Sequence, residues 1–147
     1  MLNFTIDYSL QLLAGSVAYL PDDYAFQTVP HPPFWNSVLV NTLEITLDVN
    51  KRVTGVWGFC PQEGWTSKRL AIPEHHIGGV FCEEFSTFQS HIPINVDDRD
   101  WKAFVDRDKG WVCIGDFNAG CECVAVLPGL MLSIYDRILR SVWINLH

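Results

Sequence analysis

Strict alternation of apolar and polar residues over positions 43–49 is the feature that most constrains the fold of this chain. Leucine, isoleucine, leucine and valine occupy the odd positions, whereas glutamate, threonine and aspartate occupy the even ones. A period of two predicts a half-buried β-strand. Asn50 and Lys51 then lead into a second apolar segment at 52–57, so the two segments together predict a β-hairpin.

Other parts of the chain predict further strands and one long loop. Residues 3–8 alternate in the same way, and the short segments 69–72 and 77–83 on either side of Pro73 are plausible strands. Residues 21–35 contain four prolines, which favours a loop.

Two apolar segments lie near the middle of the second half of the chain. Segments 110–116 and 121–127 flank residues 117–120, and this arrangement predicts a hairpin. Both of its faces are largely apolar, so we expect it in the centre of a sheet that is covered on both sides. The pattern of residues 97–106 fits either a short helix or a strand, and the sequence leaves both open.

The C-terminal segment predicts the only long helix. Pro128 is suited to a helix start, and residues 130–143 follow it with apolar side chains at 131, 134, 135, 138, 139 and 142. We therefore expect an α+β protein, in which a mainly antiparallel, curved β-sheet of about six or seven strands packs against a C-terminal helix.

Length and composition favour one folded unit. A chain of 147 residues predicts a single globular domain over residues 1–147. Charged residues make up only 18% of the sequence and aromatic residues 13%, which is the opposite of the balance found in disordered chains. We therefore expect a well-packed core with many aromatic side chains.

Charge is distributed unevenly along the chain. The first fifty residues contain no Lys or Arg but five acidic residues, whereas the formal net charge of the whole chain is −7. Nucleic-acid surfaces need clustered Lys and Arg, so the sequence argues against such a partner. An acidic N-terminal third is instead compatible with a basic protein partner that is attracted electrostatically.

The compartment is predicted from the N-terminus and the cysteines. No basic residue precedes Asp7, and the apolar stretch 10–20 is short and interrupted, so neither a signal peptide nor a membrane span is predicted. The five cysteines are odd in number and irregularly spaced. Free thiols in a reducing cytoplasm are the expected state.

The densest group of metal-capable side chains is Glu74, His75 and His76. A zinc site needs three or four converging ligands, and adjacent histidines on an extended chain point to opposite sides. We predict no metal site, although the sequence leaves open whether these histidines join His91 or Cys60 in a site of another kind.

Cys121 and Cys123 share one face of a strand, but without a second pair they are better interpreted as core residues. Ser86 and Ser90 lack the glycine-flanked elbow of a hydrolase nucleophile, and no phosphate-binding loop is present. We therefore assign no catalytic residue and no cofactor.

Two tryptophans lie in segments that resemble loops. Trp35 follows a Pro-rich stretch, and Trp65 follows a glycine. Exposed loop aromatics are typical anchors of protein interfaces. Together with Asp22 and Asp23, they predict a non-enzymatic acidic binding protein that recognises a basic protein partner, with a composition similar to that of immunity and accessory proteins.

The alternative hypothesis is a small-molecule-binding or hydrolytic domain with an aromatic pocket. It requires a deep cavity, lined by Trp57, Phe59 or Trp111, into which a His or Cys side chain converges.

The predicted helix also carries more apolar residues than one stripe requires. Leu132, Leu139 and Trp143 lie roughly together on a helical wheel. This edge predicts a homodimer through the C-terminal helix, unless the apolar first twenty residues cover it within one chain.

Overall fold

Three β-sheets organise the computed structural model, which describes residues 2–83, 92–116 and 120–146. The strands of the first part are β1 Phe4–Asp7, β2 Ser16–Leu20, β3 Ala25–Val29, β4 Asn36–Val40, β5 Leu43–Leu47, β6 Val53–Phe59, β7 Trp65–Ser67, β8 His76–Ile77 and β9 Gly79–Cys82. The remaining strands are β10 Ile94–Asn95, β11 Ala103–Asp106, β12 Trp111–Gly115, β13 Glu122–Leu127, β14 Leu130–Tyr135 and β15 Ile138–Asn145.

The two large sheets pack face to face. The six-stranded sheet has the order β10-β4-β5-β6-β3-β2, and the seven-stranded sheet has the order β7-β11-β12-β15-β14-β13-β8. Side chains from both, such as Ile45 and Val56 from one and Val112 and Leu132 from the other, belong to one continuous core. Strands β1 and β9 pair antiparallel and form the third, two-stranded sheet.

The outer faces of the two large sheets differ. A second apolar cluster covers the outer face of the seven-stranded sheet, where Leu70 and Ile72 pack over Cys113, Met131 and Trp143. The corresponding face of the six-stranded sheet carries exposed aromatic side chains. The seven-stranded sheet is therefore covered on both sides, whereas the outer face of the six-stranded sheet is exposed in part.

The hairpin predicted from the alternation at 43–49 is confirmed. β5 and β6 pair antiparallel, and Leu43, Ile45 and Leu47 are fully buried. The strand predicted at 3–8 is also present, as β1.

The predicted α+β class and its C-terminal helix are wrong. In the described residues the only helical segments are two 3-10 turns, Pro21–Asp23 and Gln62–Gly64, and residues 130–143 form the hairpin of β14 and β15. Because this sheet is covered on both faces, β14 and β15 are largely apolar and lose the alternation that marks a half-buried strand. Asp136 and Arg137 make the turn with positive φ angles of 52° and 65°, without the usual Asn-Gly pair.

The predicted hairpin of 110–116 with 121–127 is wrong in its pairing. The two segments are strands, but β12 pairs with β11 and β15, whereas β13 pairs with β14 and β8. The expected cover on both faces is present. It is provided by the six-stranded sheet and by the segment that contains Leu70 and Ile72, instead of a helix.

Three further predictions are resolved by the structure. Residues 103–106 form a strand, which settles the choice left open for 97–106. The segment 69–72 is not a strand, and residues 21–35 contain β3 in addition to loops.

The apolar edge predicted for a homodimer is buried within one chain. Leu132, Leu139 and Trp143 are at most 1% exposed, the last of them in the outer cluster. The homodimer itself stays a prediction, but it would need another surface.

Candidate functional site

A row of aromatic rings crosses the outer face of the six-stranded sheet. Tyr24, Trp57 and Phe59 are between 42% and 49% exposed. The rings of Tyr24 and Phe59 meet edge to face with centroids 6.2 Å apart, and His31 approaches Trp57 at 6.3 Å and Phe34 at 5.7 Å. We call these five residues the aromatic row.

The alternation of β6 creates this row. Val56 points into the core, so Trp57 and Phe59, one and three positions further on, both point outward. Between them, Gly58 has a φ of 126°, and a Cβ there would lie 2.9 Å from the carbonyl oxygen of Thr42. Glycine thus allows the strand to pass close to its neighbour while it keeps both rings on one face.

Acidic side chains surround the row. Asp22 and Asp23 are exposed in the 3-10 turn that immediately precedes Tyr24. Glu44 lies opposite Trp57 in the β5–β6 ladder, where its carboxylate accepts a hydrogen bond of 2.7 Å from the Ser37 hydroxyl. These carboxylates form the acidic rim of the row.

The nearest basic residues in sequence do not compensate this charge. Residues 1–50 contain no Lys or Arg. The guanidinium of Arg52 donates a hydrogen bond of 2.8 Å to the Gln11 carbonyl and approaches Gly79 in the two-stranded sheet, so it is held away from the row. Lys102 is nearer in space, since it lines a cavity together with Phe59, but Asp100 lines the same cavity. The aromatic row therefore lies beside an excess of carboxylates over basic side chains.

The structure separates the four binding residues predicted from the sequence. Asp22 and Asp23 are on the acidic rim. Trp35 is half-buried, and its amide bonds to the Leu47 carbonyl at 2.8 Å. Trp65 is buried in the core. Its predicted role at a partner surface stays a prediction, and no exposed ring supports it.

Core contacts explain the burial of Trp65. Its ring stacks on Phe26 with centroids 5.8 Å apart and meets Tyr19 at 5.0 Å, while its indole N–H donates to the Cys60 sulfur at 3.4 Å. The sequence pattern did not identify Tyr24, Trp57 and Phe59 as surface residues. The alternation around buried Val56 is the signal that could have identified the last two.

A cavity of about 490 Å³ lies at the opposite side of the molecule. Its floor is the outer face of the seven-stranded sheet, including Cys123, Ser133 and Trp143, and Pro73 lies on one wall. Burial raises the pKa of the Cys123 thiol to about 12, so this thiol is neutral at physiological pH.

The mouth of this cavity is polar. The Tyr8 hydroxyl donates a hydrogen bond of 2.6 Å to the Glu122 carboxylate, and its ring contacts His76 edge to face. Burial, followed by the bond to Glu122, raises the pKa of Tyr8 to about 12. Glu74 and the half-buried Cys121 complete the mouth.

A metal centre is not formed by the described residues, because no group of three or more His, Cys, Asp or Glu side chains is arranged to hold an ion. His75 and His76 are exposed on either side of the start of β8. The candidates Ser86, Ser90 and His91 lie outside the described residues. Cys60 is half-buried, and burial raises the pKa of its thiol, which disfavours a nucleophilic thiolate.

The described residues form a β-rich protein of two large sheets and one small sheet, and the outer face of the six-stranded sheet carries exposed aromatic and acidic side chains. No protein-family model matches the sequence, and no curated protein matches it significantly. No helix in the described part of the chain is long and apolar enough to cross a membrane.

Proposed function

We propose that this chain is a non-enzymatic binding protein that recognises a basic protein partner through the aromatic row and its acidic rim. The observation that carries the proposal is the combination of Tyr24, Trp57 and Phe59, all nearly half exposed, with carboxylates and no Lys or Arg in residues 1–50.

Each component of this surface has a distinct role. Aromatic rings that are buried on association supply most of the affinity of typical interfaces, because they remove large apolar areas from water. Carboxylates at the rim attract a basic partner and exclude acidic ones. An acidic binding protein of the cytoplasm, such as one that masks a basic protein, would use both.

The first experiment is a pull-down from the native host, followed by titration of the purified partner. We expect a basic protein whose affinity falls as salt rises, since rim charges at an exposed interface are screened. Recovery of no partner, or of one whose binding is insensitive to salt, would count against the proposal.

The second experiment tests the surface itself. Replacement of Trp57 and Phe59 by Ala should weaken binding by about tenfold or more, which is the usual cost of losing interface hot spots. Tyr135→Ala is the matched control, because this tyrosine is 53% exposed on the other sheet. Equal losses from both variants would contradict the assignment of the surface.

A second candidate function is supported by the cavity behind Pro73. Its volume of about 490 Å³ lies in the range of small-molecule sites. Its apolar floor and the carboxylates of Glu74 and Glu122 fit a small organic amine. 2-Phenylethylamine should bind and perturb the NMR signals of Tyr8 and Cys121, whereas the anionic 3-phenylpropionate should not. This candidate function is excluded if both compounds bind equally well or if neither compound binds.

A further inference from the structure

The edge strands of the two large sheets are unequal in length. In the described residues, three of the four edges are formed by the short strands β7, β8 and β10, which have two or three residues each. The fourth edge is β2, Ser16–Leu20, with five residues. Short edges are one of the ways in which β proteins prevent unwanted pairing, so β2 is the exception among the described edges of the two large sheets.

β2 also lacks the charge, the proline and the bulge that protect other edge strands. Its sequence, Ser-Val-Ala-Tyr-Leu, contains no charge and no proline, and it pairs with β3 over five residues without a bulge. Among the hydrogen bonds of the described residues, the main chain of β2 bonds only to β3. Its outward N–H and C=O groups therefore present a template for another strand.

The charge at the end of β2 indicates which strand it would accept. Asp22 and Asp23 lie just beyond the end of β2, after Pro21; both are exposed, and neither forms an ion pair in the described structure. A segment paired with β2 would bring its side chains beside these carboxylates. A second copy of this chain is disfavoured as the occupant, because each copy carries a net charge of −7.

The surface next to β2 has room for such side chains. On the outer face, Ala18 lies opposite Gln27, and Leu20 lies opposite Ala25, so each of these two pairs contains one alanine that leaves space between the edge and the aromatic row. Strands in a sheet are about 4.8 Å apart, which places an added strand within reach of the acidic turn but beyond Trp57.

We propose that β2 is a docking edge, at which an extended basic segment of the partner adds as a seventh strand to the six-stranded sheet with a Lys or Arg against Asp22 and Asp23. This inference rests on the proposed function and specifies how the partner binds. Main-chain hydrogen bonds would supply affinity, and the carboxylates would select for positive charge.

The test uses three nine-residue peptides of alternating valine and lysine. One is unmodified, and the other two carry N-methyl groups on the odd or on the even residues. A strand that adds to an edge uses only alternate amides for pairing. We expect the unmodified peptide and one methylated peptide to bind, while the other methylated peptide binds at least tenfold more weakly.

Edge variants provide a second measurement. Ala18→Lys places a charge on β2 without removing a backbone donor, and it should weaken peptide binding about tenfold. Ser67→Lys, on the edge strand β7, is the matched control and should leave binding unchanged. Hydrogen exchange should also slow at β2 amides, and not at β7, when the peptide is present.

The outcomes separate this inference from the proposed function. If both methylated peptides bind as well as the unmodified one and Trp57→Ala abolishes binding, the aromatic row binds the partner and the docking edge is refuted. Failure of the unmodified peptide to bind also refutes the docking edge, whereas the pull-down tests the proposed function independently. A two-chain mass in light scattering that Ala18→Lys reduces to one chain would show that β2 pairs with itself, which overturns the inference.

Discussion

The seam between β3 and β6, which supports the aromatic row, should be sensitive to a single methyl group at Gly55. The regular ladder between these strands extends to Gln27 opposite Trp57. Beyond that point the Thr28 hydroxyl replaces a backbone group: it accepts a hydrogen bond from the Val56 amide at 2.9 Å and donates one to the Val56 carbonyl at 3.1 Å.

Gly55→Ala would force this threonine out of position. The new Cβ would lie 2.9 Å from the Cβ of Thr28 and 3.0 Å from its Cγ2, and it would overlap the hydroxyl oxygen. Overpacking of this kind costs about 1–3 kcal/mol. Loss of the buried bonds to Val56 adds about 1–3 kcal/mol, and the lower entropy of alanine in the unfolded chain returns about 0.4–1 kcal/mol.

We therefore expect Gly55→Ala to lower the free energy of unfolding by about 2–3 kcal/mol, after partial relaxation of the strands. This corresponds to a fall in Tm of about 5–10 °C for a chain of this size. Urea unfolding at pH 7 measures the first quantity and a thermal melt measures the second.

Gly64→Ala is the matched control, because no atom lies within 4 Å of the Cβ it would add. It should change stability by less than about 0.5 kcal/mol or increase it slightly. In the Thr28→Ala background, Gly55→Ala should cost less than in the wild type, since the hydroxyl bonds are already absent. If Gly55→Ala is as stable as the wild type, the proposed close packing of Gly55 against Thr28 is refuted.

Three further outcomes follow from the second sheet and its turn. The Leu70 amide donates a hydrogen bond to the Asp106 carboxylate, which is the main cause of the lowered pKa of Asp106, so the ionised carboxylate stabilises the fold above pH 3.8 and this contribution is lost as the pH falls towards the lowered pKa. Urea unfolding should therefore show that Asp106→Asn is less stable than the wild type at pH 7, with a smaller difference at pH 3. Burial raises the pKa of Cys113 to about 12, so mass spectrometry should show that iodoacetamide at pH 8 modifies half-buried Cys121 first and Cys113 only on unfolding. Arg137→Gly should raise the free energy of unfolding by about 0.5–1 kcal/mol, because it removes a positive φ from a non-glycine residue, and an unchanged or lower Tm would contradict this.

The sequence predicted the half-buried strands well because burial on one side leaves a period of two. β5 and β6 were found for this reason. The same rule failed for β14 and β15, whose side chains are mostly buried on both faces and therefore match a helical stripe as well as a strand. The turn at Asp136 and Arg137 could not be predicted from the sequence, because it contains neither glycine nor asparagine.

The candidate site was predicted in part. Asp22 and Asp23 could be assigned to the surface because acidic residues beside a proline favour an exposed turn. The position of Trp65 could not, since its burial depends on Phe26 and Tyr19, which are distant in sequence. Exposure of an aromatic side chain is a property of the tertiary packing, and neighbouring residues alone do not determine it.

The order of strands along the chain separates early from late folding events. Five of the six strands that carry the proposed binding face come from residues 16–59, so this face can form from near neighbours. By contrast, Tyr8 forms a hydrogen bond with Glu122, which is 114 positions away, and β1 pairs with β9, which lies beyond residue 59 in the sequence. Because pairing of distant segments slows folding, closure of the N-terminal strand is expected to be among the last steps, after the binding face has already formed.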